Sequence, residues 1–219
     1  MRPHHNLGLV ALSLAWLGAG ACDNKPAEGK PQAVVQEVTQ PAAPAAAPAA
    51  TTTYAFSQEN SKIDFTGAKI TGKHLGSFKT FSGNIQAVAG GAADLSAASV
   101  QVEIEIASIT ADVAKLTEHL KSPELLDAAK YPKATFQSTK VSAQEGSTYN
   151  VTGNFQLHGA TKQLSFPATI RLAPEQVEAD AEFAINRKDF GIVYPGKPDD
   201  LIQDDVLIKL TIRAPRTPL

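Results

Sequence analysis

Residues 149–172 read YNVTGNFQLHGATKQLSFPATIRL. Tyr149, Val151, Gly153, Phe155 and Leu157 alternate with Asn150, Thr152, Asn154, Gln156 and His158. After a turn signal at His158-Gly159-Ala160, Leu164, Phe166, Ala168, Ile170 and Leu172 resume the alternation against Gln163, Ser165, Thr169 and Arg171. A period of two gives each segment one dry and one wet face, the mark of antiparallel strands with one side on a core.

The same period runs outward from this hairpin. Val100, Val102, Ile104 and Ile106 flank Gln101, Glu103 and Glu105, and Val177, Ala179, Ala181, Phe183 and Ile185 flank Glu178, Asp180 and Glu182. Val206, Ile208, Leu210 and Ile212 repeat it near the C-terminus, with weaker versions over 63–67, 78–88 and 133–141. Gly90-Gly91, Glu145-Gly146-Ser147 and Ala173-Pro174-Glu175 supply turns between strands. One interruption is helical: Asp112 to His119 suits one or two turns. Ser122-Pro123-Glu124 then predicts a second short helix with Ser122 as N-cap. The pattern predicts an all-β, antiparallel fold of eight strands with a short helical insertion, as a β-barrel or a sandwich.

Gly67, Gly83 and Gly153 fall on dry faces, as do Ala179 and Ala181. Small inward residues either leave a lumen, which an eight-stranded barrel is just wide enough to enclose, or mark bends where strands coil.

The chain's start has a different character. Arg2, His4 and His5 precede an apolar run from Leu7 to Leu17, and Gly18 to Ala21 lead into Cys22. This is the layout of a secretory signal over 1–21, its apolar run too short for a bilayer span of about 20 residues. Cys22 is the single cysteine, and its setting resembles a lipobox, implying lipidation at Cys22 and a membrane anchor. Asp23 to Thr53 holds five prolines and nine alanines in 31 residues. With Cys22 this makes 22–53 a Pro/Ala-rich tether, leaving 54–219 as one folded domain. The fold then has no disulfide, and a net charge of −2 with scattered cations gives no footprint for nucleic acid.

Gly76-Ser77-Phe78-Lys79-Thr80-Phe81-Ser82-Gly83, Ser108-Ile109-Thr110, His119-Leu120-Lys121-Ser122, Tyr131-Pro132 with Phe136 and Ser138, Val151 to Phe155 with His158 to Thr161, and Ile185 to Gly191 succeed one another in this order. As a set they resemble the YceI family of lipocalin-like, polyisoprenoid-binding proteins, from Tyr54 to the C-terminus. Leu116-Thr117-Glu118 stands where that family commonly has a basic–acidic pair. The resemblance implies export and an eight-stranded lipocalin-like barrel with an elongated apolar tunnel. It also implies binding of an isoprenoid lipid, a quinone or polyprenyl phosphate, for storage or transfer in the periplasm-facing cell envelope.

Within that frame Phe78, Phe81, Phe136, Phe155 and Phe183 are the candidate tunnel wall, with core packing as their ordinary role. Phe78 and Phe81 have opposite parity, so only a bulge lets both point inward. Arg187 suits a pyrophosphate or quinone oxygen, or equally a pairing with Asp189 or a loop cap. His119 suits a head group, or a structural hydrogen bond. Asp199, Asp200, Asp204 and Asp205 read as a solvated loop. No Gly-x-Ser-x-Gly, His-Glu-x-x-His or phosphate loop occurs, and His74, His119 and His158 are scattered, so neither an enzyme nor a metal or other cofactor is expected. The competing expectation is a packed barrel whose outer face meets an envelope partner, and dimerisation stays open.

Overall fold

The computed structural model describes residues 25–38, 51–88 and 95–218. The signal segment, Cys22 and Gly90-Gly91 lie outside the described residues. In chain order the strands are β1 (Val34–Glu37), β2 (Thr51–Ser57), β3 (Lys62–Lys69), β4 (Gly72–Phe78), β5 (Phe81–Val88), β6 (Ser99–Glu105) and β7 (Ile109–Ala111). Helix α1 (Ala114–Lys121) comes next, then β8 (Lys133–Ala143), β9 (Thr148–Leu157), β10 (Ala160–Ala173), β11 (Gln176–Asn186), β12 (Gly196–Lys197), β13 (Asp200–Leu201) and β14 (Asp205–Pro215).

One curled sheet runs β2-β5-β6-β8-β9-β10-β11-β14-β3-β4-β7, with β1 added on β10 and β12-β13 as a separate ribbon. The expected count of eight is therefore corrected to eleven strands along the path. Three long strands of the curl are each broken in two, at 58–61, 79–80 and 106–108, so that β2, most of β4 and β7 fall outside the stretches marked by alternation. Side chains replace the ladder at these breaks. Ser61 Oγ accepts the Arg213 N–H at 3.0 Å, Gln58 Oε1 accepts that of Phe81 at 3.2 Å, and Ser108 Oγ accepts those of Lys79 and Thr80 at 3.2 and 3.0 Å. The sheet turns back on itself: β14 pairs with β3, then bridges β2 through Tyr54 and Arg216.

The hairpin over residues 149–172 forms as expected. β9 and β10 pair from Leu157↔Ala160 to Thr148↔Thr169, and the turn places His158 and Gly159 at φ 51° and 79°. Both torsions are left-handed, as a two-residue hairpin turn demands. The dry faces of the strands meet in one core that includes Phe56, Ile85, Val151, Leu164, Phe166, Phe183 and Ile212.

Two expectations about the chain's course change. α1 forms over Ala114–Lys121, but the second helix does not: Ser122 to Tyr131 makes consecutive turns, with Asp127 at φ 44°. Ser122 instead closes the C-terminus of α1, its N–H donating to His119 O at 3.1 Å, and its buried Oγ has no hydrogen-bond partner. The tether is also not free along its whole length. β2 already starts at Thr51, and residues 34–37 form β1 on β10. Between Pro31 and Pro41 no proline occurs, and Val34, Val35 and Val38 supply β-branched side chains, which suit a strand.

Candidate functional site

Inside the curl lies an apolar chamber of about 170 Å³. Every side chain around it is hydrocarbon, from Phe56, Ile85 and Val100 to Ala181, Ile185 and Leu210. A second chamber of about 360 Å³ sits at the end where α1, the Arg187–Phe190 turn and the β12-β13 ribbon gather. Its walls mix Phe65, Ile109, Leu116 and Leu125 with Lys69, His74, His119, Arg187, Tyr194 and Asp200. Phe78 and Ile208 line both chambers, so a dry inner room shares a wall with a polar-ended outer one.

Four of the five candidate phenylalanines, Phe78, Phe136, Phe155 and Phe183, line the inner chamber. Phe81 is buried in the core and does not line it. Phe78 and Phe81 nonetheless both turn inward, because the break at Lys79-Thr80 acts as the bulge that their parity requires. The rings meet in two groups. Phe166 stacks on Phe183 with centroids 4.2 Å apart, Phe136 meets Phe166 at 5.8 Å, and Phe155 meets Phe190 edge-on at 5.3 Å.

The dry-face glycines serve a third purpose that neither expectation named. A Cβ on Gly83 would lie 2.2 Å from Phe56 Cζ, and one on Gly153 would lie 2.5 Å from Phe136 Cζ. Each glycine leaves room for the far end of a neighbouring strand's ring to approach the sheet. The rings are thereby held to the wall. Gly67 differs: nothing lies within 4 Å of its Cβ position, and it lines the outer chamber.

Arg187 is buried at 5% exposure and already engaged. Its Nη1 donates to Ile192 O at 2.6 Å, Nε to Gln203 O at 3.1 Å, and Nη2 to Ile202 O at 3.5 Å and Asp204 Oδ1 at 3.3 Å. Burial lowers its pKa, and the neighbouring Asp204 carboxylate works against that shift. The guanidinium ties two loops together and pairs with Asp204 rather than Asp189. A bidentate grip on a phosphate is ruled out, since four of the five N–H donors are used. His119 sits on α1 itself, with Nε2 2.8 Å from Glu124 Oε2 and its ring edge-on to Tyr194 at 5.2 Å.

Lys69, His74 and Tyr194 join this outer chamber although the sequence does not mark them as site residues. Tyr194 leaves a faint trace, being the only aromatic residue after Phe190. His74 pairs with Asp112 at 3.0 Å, and Lys69 with Asp200. Asp200 also accepts from the Thr71 N–H at 3.1 Å. The acidic stretch is thus largely spoken for, with Asp204 held by Lys188 at 2.8 Å and Asp205 meeting Gln32 at 3.3 Å. Among the described residues no group of three or more His, Cys, Asp and Glu could hold a metal ion.

The family profile of the YceI-like domain matches residues 54–214. The chain belongs to the YceI-like family. This YceI-like chain is 33% identical over 140 residues to a UPF0312 protein of Pseudomonas putida (strain W619), covering 61% of this chain and 71% of that one. Among solved structures, Burkholderia cenocepacia BcnA superposes with a TM-score of 0.62 at 25% identity, over 70% of this chain and 96% of its own. A polyisoprenoid-binding domain from Saccharophagus degradans, described as implicated in plant cell wall breakdown, superposes with a TM-score of 0.60 at 15% identity. That likeness covers 75% of this YceI-like chain and 98% of the other, and shows the fold.

Proposed function

We propose that this YceI-like protein is a lipocalin-like carrier that binds an isoprenoid lipid, its tail in the inner chamber and its head group in the outer one. The observation that carries the reading is the adjacency of the two rooms: a wholly hydrocarbon chamber of about 170 Å³ shares Phe78 and Ile208 with a polar-ended chamber of about 360 Å³. An amphiphile with a long apolar chain and a compact polar end matches that division. Each methylene of a prenyl tail buried there contributes about 0.8 kcal/mol before association losses, so the tail supplies affinity and a few polar groups set orientation. The Saccharophagus degradans domain, named for polyisoprenoid binding, supports the choice of chain.

Within this reading Phe78, Phe136, Phe155 and Phe183 contact the tail, Phe81 backs the wall, and His119 faces the head group. Arg187 fixes the loops that shape the head-group room. A quinone or a polyprenyl phosphate is the ligand class. Lipidation at Cys22 places the barrel on the periplasmic side of the cell envelope, where storage or transfer of such a lipid is the task. Native mass spectrometry of mildly purified protein tests this. We expect a co-purifying hydrophobic mass, or uptake of added ubiquinone or polyprenyl phosphate at one per chain. A clean apo spectrum with no uptake of either refutes it.

A further inference from the structure

The barrel wall has a seam. β10 and β11 pair with each other only from Thr169↔Asp180 to Ala173↔Gln176. Beyond that level β11 continues with β14 as far as Asn186↔Asp205, and β10 continues with β9 as far as Ala160↔Leu157. Residues 31–37 fill the space between the two edges. On one side Val34↔Ser165 to Glu37↔Lys162 pair antiparallel. On the other the Ala33 N–H donates to Ala184 O, and the Ala184 N–H to Pro31 O, both at 2.9 Å.

The edges that this strap joins are the wall of the inner chamber. Leu164, Phe166 and Ala168 on one side and Ala181, Phe183 and Ile185 on the other all line it. The strap itself is lightly held. Ala33, at 5% exposure, is its one fully buried side chain, Val35 is partly buried against the core, and Val34 is 55% exposed. The ion pairs at its ends, Lys30 with Glu182 at 2.7 Å and Glu37 with Lys162, each keep solvent access and so contribute little. A segment with so little buried surface opens far more readily than the strands it joins. It also precedes residues 54–214, so it is not part of the family domain itself.

We propose that residues 31–37 are a removable stave, and that the seam between β10 and β11 is a side portal through which an apolar chain reaches the inner chamber. This rests on the lipid-binding reading. When the strap lifts, two chamber-lining strands lose their backbone link along the seam, and the tail room opens sideways as the stacked rings of Phe166 and Phe183 part. The strap begins nine residues after Cys22, so with the strap seated the seam lies within about 30 Å of that residue even when the intervening chain is fully extended. A lipid can then pass between a bilayer and the chamber tail-first, without drawing its head group through the hydrocarbon interior.

Two measurements test it. In hydrogen exchange on the full chain, the Ala33 and Ala184 amides exchange at least about 100-fold faster than ladder amides of β14 such as Ile208, as expected of a local opening. Equal protection, with strap and β14 opening only together, overturns the proposal. The second measurement uses the full chain bearing Cys22→Ser with Val34→Cys and Ser165→Cys, a directly opposed outward pair suited to a disulfide. The loading rate of a fluorescent farnesyl probe from phosphatidylcholine vesicles should fall at least about 10-fold on oxidation, about 1.4 kcal/mol of added barrier, and recover on reduction. An unchanged rate in a stapled protein that still loads overturns the portal alone. Absence of loading in stapled, reduced and parent proteins alike overturns the ligand reading and the portal with it. Gln36→Cys with Gln163→Cys provides a second staple, further along the same pair of strands.

Discussion

Replacing Ala181 by leucine separates a hollow barrel from a solid one. Ala181 lies on the dry face of β11 at 8% exposure, opposite Leu210, and lines the inner chamber. That chamber, at about 170 Å³, is close in size to an engineered apolar cavity of about 150 Å³ that stays dry and admits benzene. A leucine there places three further carbons where the tail would lie. At about 0.8 kcal/mol per methylene excluded, the prenyl chain loses about 2 kcal/mol, or about 30-fold in Kd. Stability should move little, because the added carbons occupy empty space and remove a void. A fluorescence titration with a geranylgeranyl probe reads the first quantity, and the urea midpoint reads the second. Affinity within about threefold of the parent, with stability lowered by more than about 1 kcal/mol as in an overpacked core, would show that no chamber exists there.

The geometry sets the outcome of three other perturbations. Gly83→Ala should cost about 1–3 kcal/mol in a urea melt, since its Cβ must displace the Phe56 ring; an unchanged midpoint would mean the ring is not seated on the glycine. Arg187→Met should lower stability by about 3–5 kcal/mol through the loop carbonyls and Asp204 left unpaired, and Arg187→Lys should not restore it. Loss of lipid binding at wild-type stability would instead make the guanidinium a ligand contact. The Lys69 hydrogen bond holds the Asp200 pKa below its usual value, opposed by desolvation and helped by the Thr71 contacts. A depressed carboxylate stabilises the folded state above its unfolded pKa and loses that contribution as pH falls through the folded one. The Thr71 amide resonance should therefore titrate below about 3.9, the unperturbed aspartate value, and a transition at or above that pH would contradict the clasp.

The sheet is legible in the sequence because alternation reports a face, and each face finds its core. The number of strands is not. Breaks at 58–61, 79–80 and 106–108 depend on which backbone N–H groups Gln58, Ser61 and Ser108 accept from, and periodicity carries no record of partners. The second helix fails although Ser122-Pro123-Glu124 has the right chemistry for a start. Leu125 and Leu126, the next two residues, are buried under the outer chamber in consecutive turns, so tertiary burial outweighs the capping signal. The aromatic wall is readable as a set of inward phenylalanines. Its seating on Gly83 and Gly153 is hidden, because the ring and the glycine belong to different strands. Arg187 stands out in the sequence as a cation at the end of an apolar strand. Its partners Ile192, Gln203 and Asp204 arrive from a loop whose path the alternation does not describe.

The most direct measurement of the central claim is a set of intermolecular NOEs between a prenyl ligand and a methyl-labelled sample of this chain. The two-room account predicts contacts from the tail's isoprene methyls to Val151, Leu164, Ile185 and Ile212 around the inner chamber, with head-group protons reaching only the outer-chamber residues Ile109, Leu116 and Ile202. Tail contacts confined to outward-facing methyls such as Val34 and Leu75, with none to the inner four, would contradict it.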